Sequence, residues 1–178
     1  MNIPAIVLAA GRGERMRPLS DRHPKPLLTV AARPLIEWVL QSLAQGACSR
    51  VVINTAWLGD QISAHLGSVF EPKAQLGRPA RALELAYSNE GRDFGRALET
   101  AGGIARALPT LCPDQDPSQA FWVTAADVFA PDFVFGAGDV ERFLASDRLA
   151  HLWLVPNPAH HPKGDFGLSD DDRCQNLA

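Results

Sequence analysis

Lysine is scarce in this chain of 178 residues: Lys25, Lys73 and Lys163 stand against fourteen arginines. The formal net charge is -3. A broad basic field able to displace counterions from a duplex is therefore missing, which argues against a general nucleic-acid binder. Cysteine is sparse too. Cys48, Cys112 and Cys174 form neither a close pair nor a metal-ligand spacing, which suits a reducing compartment rather than a disulfide framework. No apolar run approaches the roughly 20 residues needed to cross a bilayer. An apolar run close behind Met1 reads as a first core strand and leaves no room for a signal peptide, so the expected location is the cytoplasm, with no membrane partner. Internal repeats and low-complexity tails are absent. No Ser-His-Asp or Cys-His arrangement stands out, which lowers hydrolase readings. The adjacent His160 and His161 have no evident third ligand, so they are not read as a metal site.

What remains is ordinary globular composition, 46% apolar and 21% charged, enough for one good core, and residues 1–178 are expected to form a single domain. Ile3 to Ala9 is a continuous apolar run of the kind buried on both faces of a parallel sheet. A helix is predicted to begin at Arg33-Pro34-Leu35, with Leu35, Val39, Leu40 and Leu43 as its apolar stripe and Gly46 closing it. Arg50 to Asn54 reads as a strand, Asp60 to Leu66 as a short helix, and Leu83 to Ser88 as a third strand. Thr100 to Leu108 reads as helical despite Gly102 and Gly103, which cost about 1 kcal/mol each relative to alanine and so hint at a close backbone approach. Phe121 to Ala125 is a buried-type strand ending near Asp127, Val140 to Ala145 suggests helix, and His151 to Val155 suggests strand. Ser68 to Arg81 is irregular, 113–118 is a surface loop, and Gly164 to Leu168 starts a further strand before a turn at Asp170 to Arg173. Strands and helices alternate, so the fold class is α/β: a Rossmann-like, open, mostly parallel sheet with helices on both faces.

The chemistry concentrates early. Ile6-Val7-Leu8-Ala9-Ala10 empties into Gly11-Arg12-Gly13-Glu14-Arg15-Met16-Arg17-Pro18-Leu19, and Pro24-Lys25-Pro26-Leu27 follows. From Arg12 to Lys25 five Lys/Arg face only Glu14 and Asp21, so positive charge gathers beside the glycine turn. This is not a dinucleotide fingerprint, because Met16 stands where the third glycine belongs; nor is it a Walker loop, because no Gly-Lys-Ser/Thr ends it. Open α/β sheets bind ligands beyond the carboxyl ends of their strands. The first strand and the Phe121 strand would open onto one crevice, bringing the glycine turn, Arg15 and Lys25 to Asp127. Backbone N–H groups at Gly11 and Gly13 suit triphosphate oxygens, and Asp127 suits a Mg²⁺ ion bridging phosphates.

On these residues the chain resembles the sugar-1-phosphate nucleotidyltransferases. Their pattern Leu-x-x-Gly-x-Gly-x-Arg-x-x-Pro-Leu followed by Pro-Lys-Pro matches Leu8 to Leu19 and Pro24 to Pro26 without gaps. Ile53 to Gly59, Leu98 to Ile104 and Asn157 to Phe166 are similar to the branch that acts on N-acetylmuramate 1-phosphate in cell-wall (peptidoglycan) recycling. The resemblance implies transfer of UMP from UTP to a sugar 1-phosphate, giving a UDP-sugar and pyrophosphate. It assigns Arg15 and Lys25 to catalysis. The nucleotide falls to Leu8, Ala10, Gly11, Gly13, Arg15 and Lys25, with Glu99, Gly102 and Gly103 near uracil and ribose. Asp127 takes Mg²⁺, and Asn157, Lys163 and Asp165 take the sugar side. Two departures stand out: Ala125-Ala126 replaces the family's usual Asn-Gly before the metal aspartate, and no second metal aspartate in a Trp-x-Asp-x-Gly segment follows. Rival readings are a guanylyl- or other nucleotidyltransferase on mannose or glucose 1-phosphate, a non-catalytic nucleotide-binding remnant, and a structural subunit. Monomer and homodimer are both compatible with the sequence.

Overall fold

The protein is described from a computed structural model covering residues 3–46, 48–74, 78–114, 116, 118–159 and 161–176. His160, three positions of the 68–81 stretch and two of the 113–118 loop lie outside the described residues. The regular elements are β1 (Ala5–Leu8), β2 (Thr29–Val30), β3 (Arg33–Pro34), α1 (Leu35–Gln45), β4 (Arg50–Thr55), α2 (Gly59–Leu66), β5 (Val69–Phe70), β6 (Leu83–Asn89), α3 (Glu90–Phe94), α4 (Glu99–Leu111), β7 (Trp122–Ala125), α5 (Ala137–Leu144), β8 (Phe166–Leu168) and β9 (Cys174–Asn176). The chain divides into two units, Met1–Glu141 and Arg142–Ala178, with the division inside α5.

The first unit holds a five-stranded sheet in the order β5-β6-β4-β1-β7. β1, β4, β6 and β7 run parallel, and β5 lies antiparallel on β6. Strand alternation sorts the apolar residues between two helical layers. Ala5, Val7, Val51 and Ile53 face the layer of α1 and α2, where Ile36, Leu40, Leu43 and Ile62 are fully buried. Ile6 and Val52 face α4 through Ala107 and Leu111. Helices therefore cover both faces, as the continuous apolar strands required. The chain builds outward from β1 through β4 to β6, then returns to lay β7 on the opposite flank of β1. That reversal makes the carboxyl ends of β1 and β7 a topological switch point, where neighbouring loops diverge and leave a crevice.

Two expectations are adjusted. Pro34 is extended (φ -54, ψ 141) and caps α1, and it pairs with Thr29 in a two-residue ribbon before the helix starts at Leu35. His151 to Val155 forms no strand; Leu152, Trp153, Leu154 and Val155 are exposed, and no neighbouring strand among the described residues completes a backbone ladder there. Apolar pattern alone does not make a strand, because unpaired backbone groups gain nothing from extension. The second unit instead contains the hairpin β8–β9, closed by Asp172 in the left-handed region (φ 57) and by Ser169, whose amide donates to the Arg173 carbonyl.

Candidate active site at the sheet switch point

A pocket of about 360 Å³ opens where β1 and β7 end, and its wall includes Leu8, Ala9, Gly11, Gly13, Arg15, Lys25, Ala126 and Asp127. Each is there for a local reason. The ladder between β1 and β7 runs one step past the strands, because the Ala126 amide donates to the Leu8 carbonyl at 2.9 Å. That pairing carries Asp127 to the rim. Ala125 ends β7, and neither it nor Ala126 brings a polar side chain to the pocket.

The turn after β1 is shaped by Gly13, which sits at φ +68; a Cβ there would lie 3.1 Å from Cβ of Lys25. Glycine thus serves both the left-handed backbone and the close passage of the lysine stem. Ser20 Oγ donates to the Gly13 carbonyl at 2.8 Å, and Met16 N at 2.9 Å. Lys25 begins a single 3₁₀ turn, Lys25–Leu27, after extended Pro24. Its Nζ donates to Asp127 Oδ2 from a segment far away in the chain, with both side chains about a third exposed or less, 28% and 34%.

The arginines divide their work. Arg12 stacks on Trp57 with its guanidinium carbon 4.2 Å from the ring centre, and Trp57 Nε1 donates to the Ser20 carbonyl at 2.9 Å. Trp57 is thus a shelf beneath the turn. Arg17 pairs with Asp21 at 3.3 Å. Arg15 lines the pocket and makes no ion pair among the described residues, leaving a planar five-donor fork open to an anion.

Among the expected site residues, Leu8, Gly11, Gly13, Arg15, Lys25 and Asp127 come together around this pocket. Ala10 is buried beside it. Glu99, Gly102 and Gly103 form the start of α4 outside the wall; Glu99 has φ 60 and is exposed. Gly103 is packed against the protein itself, since a Cβ would fall 2.5 Å from Asn54 Nδ2 and 2.7 Å from Glu90 Oε1. Asn157, Lys163 and Asp165 lie in the second unit, in one compact turn where Asn157 Nδ2 donates to the Pro162 carbonyl at 3.0 Å and His161 meets Asp165 at 3.3 Å. Sequence reading missed Asn54 and Glu90. A polar residue inside the apolar run of β4 was the available signal.

The donor set bears on the expected Mg²⁺. No group of three or more His, Cys, Asp or Glu able to hold a metal occurs among the described residues. An all-protein cage is therefore not what this pocket offers. Two carboxylates, Asp127 and the exposed Glu14, stand with Arg15 and Lys25 around a phosphate-sized space; this does fit Mg²⁺, which keeps several waters and takes one or two carboxylates together with substrate phosphates.

Comparison with known proteins follows the same line. The nucleotidyl transferase family model matches residues 4–168. The chain is 47% identical over 167 residues to N-acetylmuramate alpha-1-phosphate uridylyltransferase of Neisseria meningitidis, covering 94% of this chain and 65% of that protein. It is 34% identical over 175 residues to the protein of the same name from Caulobacter vibrioides, again covering 94% and 65%. The chain thus spans about two thirds of the length of these relatives. Among solved structures, a putative glucose-1-phosphate thymidylyltransferase from Bacillus anthracis superposes with a TM-score of 0.54 at 27% identity, over 83% of this chain and 52% of that one. An apo UDP-glucose pyrophosphorylase gives a TM-score of 0.59 at 15% identity, over 82% and 55%, a likeness of fold alone. With the glycine turn and Asp127 meeting at the switch point of a sheet that these enzymes share, the chain belongs to the nucleotidyl transferase family.

Proposed function

We propose that this chain carries the nucleotide-binding and transfer site of a uridylyltransferase that converts UTP and N-acetylmuramate 1-phosphate to a UDP-sugar and pyrophosphate. The supporting observation is the meeting of Gly11, Gly13, Arg15 and Lys25 with Asp127 around one pocket; the choice of uracil and of sugar rests on the two named relatives. The cytoplasm, where UTP and sugar phosphates are at hand, and the recycling of cell-wall sugars are the proposed setting. No helix among the described residues is long and apolar enough to cross a membrane.

In this reading the triphosphate lies against the turn after β1, its oxygens accepting from backbone N–H groups around Gly11 and Gly13. Arg15 clamps the β- and γ-phosphates, and Lys25 follows the charge that develops on the departing pyrophosphate. An oxygen of the sugar phosphate attacks the α-phosphorus in line as the bond to the leaving pyrophosphate breaks. Asp127 would hold Mg²⁺, which when bound supplies charge neutralisation to the phosphates. Glu99 and Gly102, with Gly103 behind them, are assigned to the uracil and ribose; Asn157, Lys163 and Asp165 are assigned to the sugar phosphate. No side chain forms a covalent intermediate, so positioning and electrostatics supply the acceleration.

The test is pyrophosphate release with Mg²⁺, UTP and a panel of sugar 1-phosphates. Product with N-acetylmuramate 1-phosphate, above glucose and mannose 1-phosphate, is the expected outcome. UTP binding without product from any sugar would limit the chain to nucleotide binding, and turnover of mannose 1-phosphate with GTP would replace the assignment.

A further inference from the structure

Glu90 is fully buried, at 0% exposure, and among the described residues no cation pairs with it. A carboxylate taken out of water without a counter-ion is expensive unless its oxygens are well supplied with donors. They are. Asn54 Nδ2 donates to Oε1 at 2.8 Å, and the Leu98 amide donates to Oε2 at 2.7 Å. Asn54, 2% exposed, turns its own oxygen to the Ala9 amide at 2.7 Å. The result is one continuous chain of hydrogen bonds: Ala9 N–H to Asn54, Asn54 to Glu90, Glu90 to Leu98 N–H. One end fixes the residue where β1 enters the glycine turn. The other fixes the residue that caps α4, immediately before Glu99. Gly103 closes over the middle with no side chain to spare.

We infer that Glu90 is a positioning residue that holds the phosphate turn and the start of α4 in register, so that one nucleotide can engage both. The inference rests on the proposed binding of UTP across these two elements. Neither Asn54 nor Glu90 lines the pocket, so any effect on binding passes through the backbone they hold. Glu90→Gln keeps the shape but replaces one acceptor by an NH₂ group, which faces a donor, Asn54 Nδ2 or Leu98 N–H, with no oxygen to offer. The turn remains held by Asn54, and only its link to α4 is cut. Asn54→Asp combined with Glu90→Gln reverses the middle bond. The carboxylate introduced at position 54 would accept from both the Ala9 N–H and the side-chain amide introduced at position 90, whose oxygen would accept from Leu98. All three bonds return with the charge moved from one side chain to the other.

The experiment is calorimetry on the full chain with Mg²⁺ and either UTP or inorganic triphosphate, alongside thermal denaturation. The expected result is that Glu90→Gln weakens UTP by about tenfold, as befits one unsatisfied buried donor. Inorganic triphosphate, which touches the turn alone, changes little, and the double variant recovers UTP affinity. Equal loss for both ligands, or a lower melting temperature with UTP affinity unchanged, would reduce Glu90 to a structural role and overturn the inference. Should Glu90→Gln not fold, the double variant decides: native melting with weak UTP binding rejects the relay. A wild-type chain that binds no UTP would instead overturn the functional reading on which the inference rests.

Discussion

Lys25 and Asp127 reach each other across 102 positions of sequence. Because both are partly exposed, their pairing contributes about 1 kcal/mol or less to stability, while each faces the space where phosphate charge would gather. Lys25→Ala is therefore expected to lower turnover by about 100-fold, the scale of losing one group that stabilises transition-state charge, with a nearly unchanged melting temperature. Steady-state kinetics beside thermal denaturation checks this. Asp127→Asn is expected to remove the Mg²⁺ dependence of UTP binding, read by calorimetry with and without the ion. Cys48 stands at the other extreme of the residue scale. Burial pushes its thiol from 9.0 up to about 12. The proton is thus held more tightly in the folded chain than in the unfolded one, so this contribution to stability is complete below pH 9 and fades as pH rises toward 12. Denaturant midpoints for wild type and Cys48→Ala are expected to diverge most below pH 9 and to converge above it; a constant gap would contradict the shift.

At the scale of elements, α4 shows what a close approach demands. Gly103→Ala would press a methyl group into Asn54 and Glu90, and overpacking of this kind costs about 1–3 kcal/mol. Thermal denaturation is expected to show that loss even though alanine is the better helix former. The paired glycines announced a close contact in the sequence, but the partner was invisible, since it lies on β4 and α3, 49 and 13 positions back by number. Periodic apolar patterns located β1, α1, β4, α2, β6, α4 and β7 because burial on a sheet or helix face repeats in sequence. The glycine turn, Arg15, Lys25 and Asp127 were legible because their residue types are unusual where they stand. Asn54, Glu90 and the Trp57 shelf were not, because hydrogen bonds and stacking join residues that have no periodicity in common. His151 to Val155 was misread for the converse reason: its pattern is strand-like, but a strand is defined by its neighbour.

At the scale of the molecule, the division inside α5 separates a sheet with two buried faces from a second unit whose apolar side chains, such as Leu149 and Val155, lie exposed. Arg148 sits in an exposed stretch without helix or strand. Backbone with few protecting contacts is where proteases enter first. Brief trypsin treatment is expected to cut at Arg148 before any arginine between β1 and β7, and mass spectrometry of the early fragments would show it. In the first unit, the switch point sets the pocket where the parallel strands β1 and β7 end; Asp127 follows β7, and Lys25 reaches it from the 3₁₀ turn after Pro24.

In the proposed binding mode the Lys25–Asp127 couple acts as a latch across the phosphate space. A triphosphate entering with Mg²⁺ would hand the ammonium an anion and the carboxylate a cation at the same moment, so each would leave the other without standing unpaired.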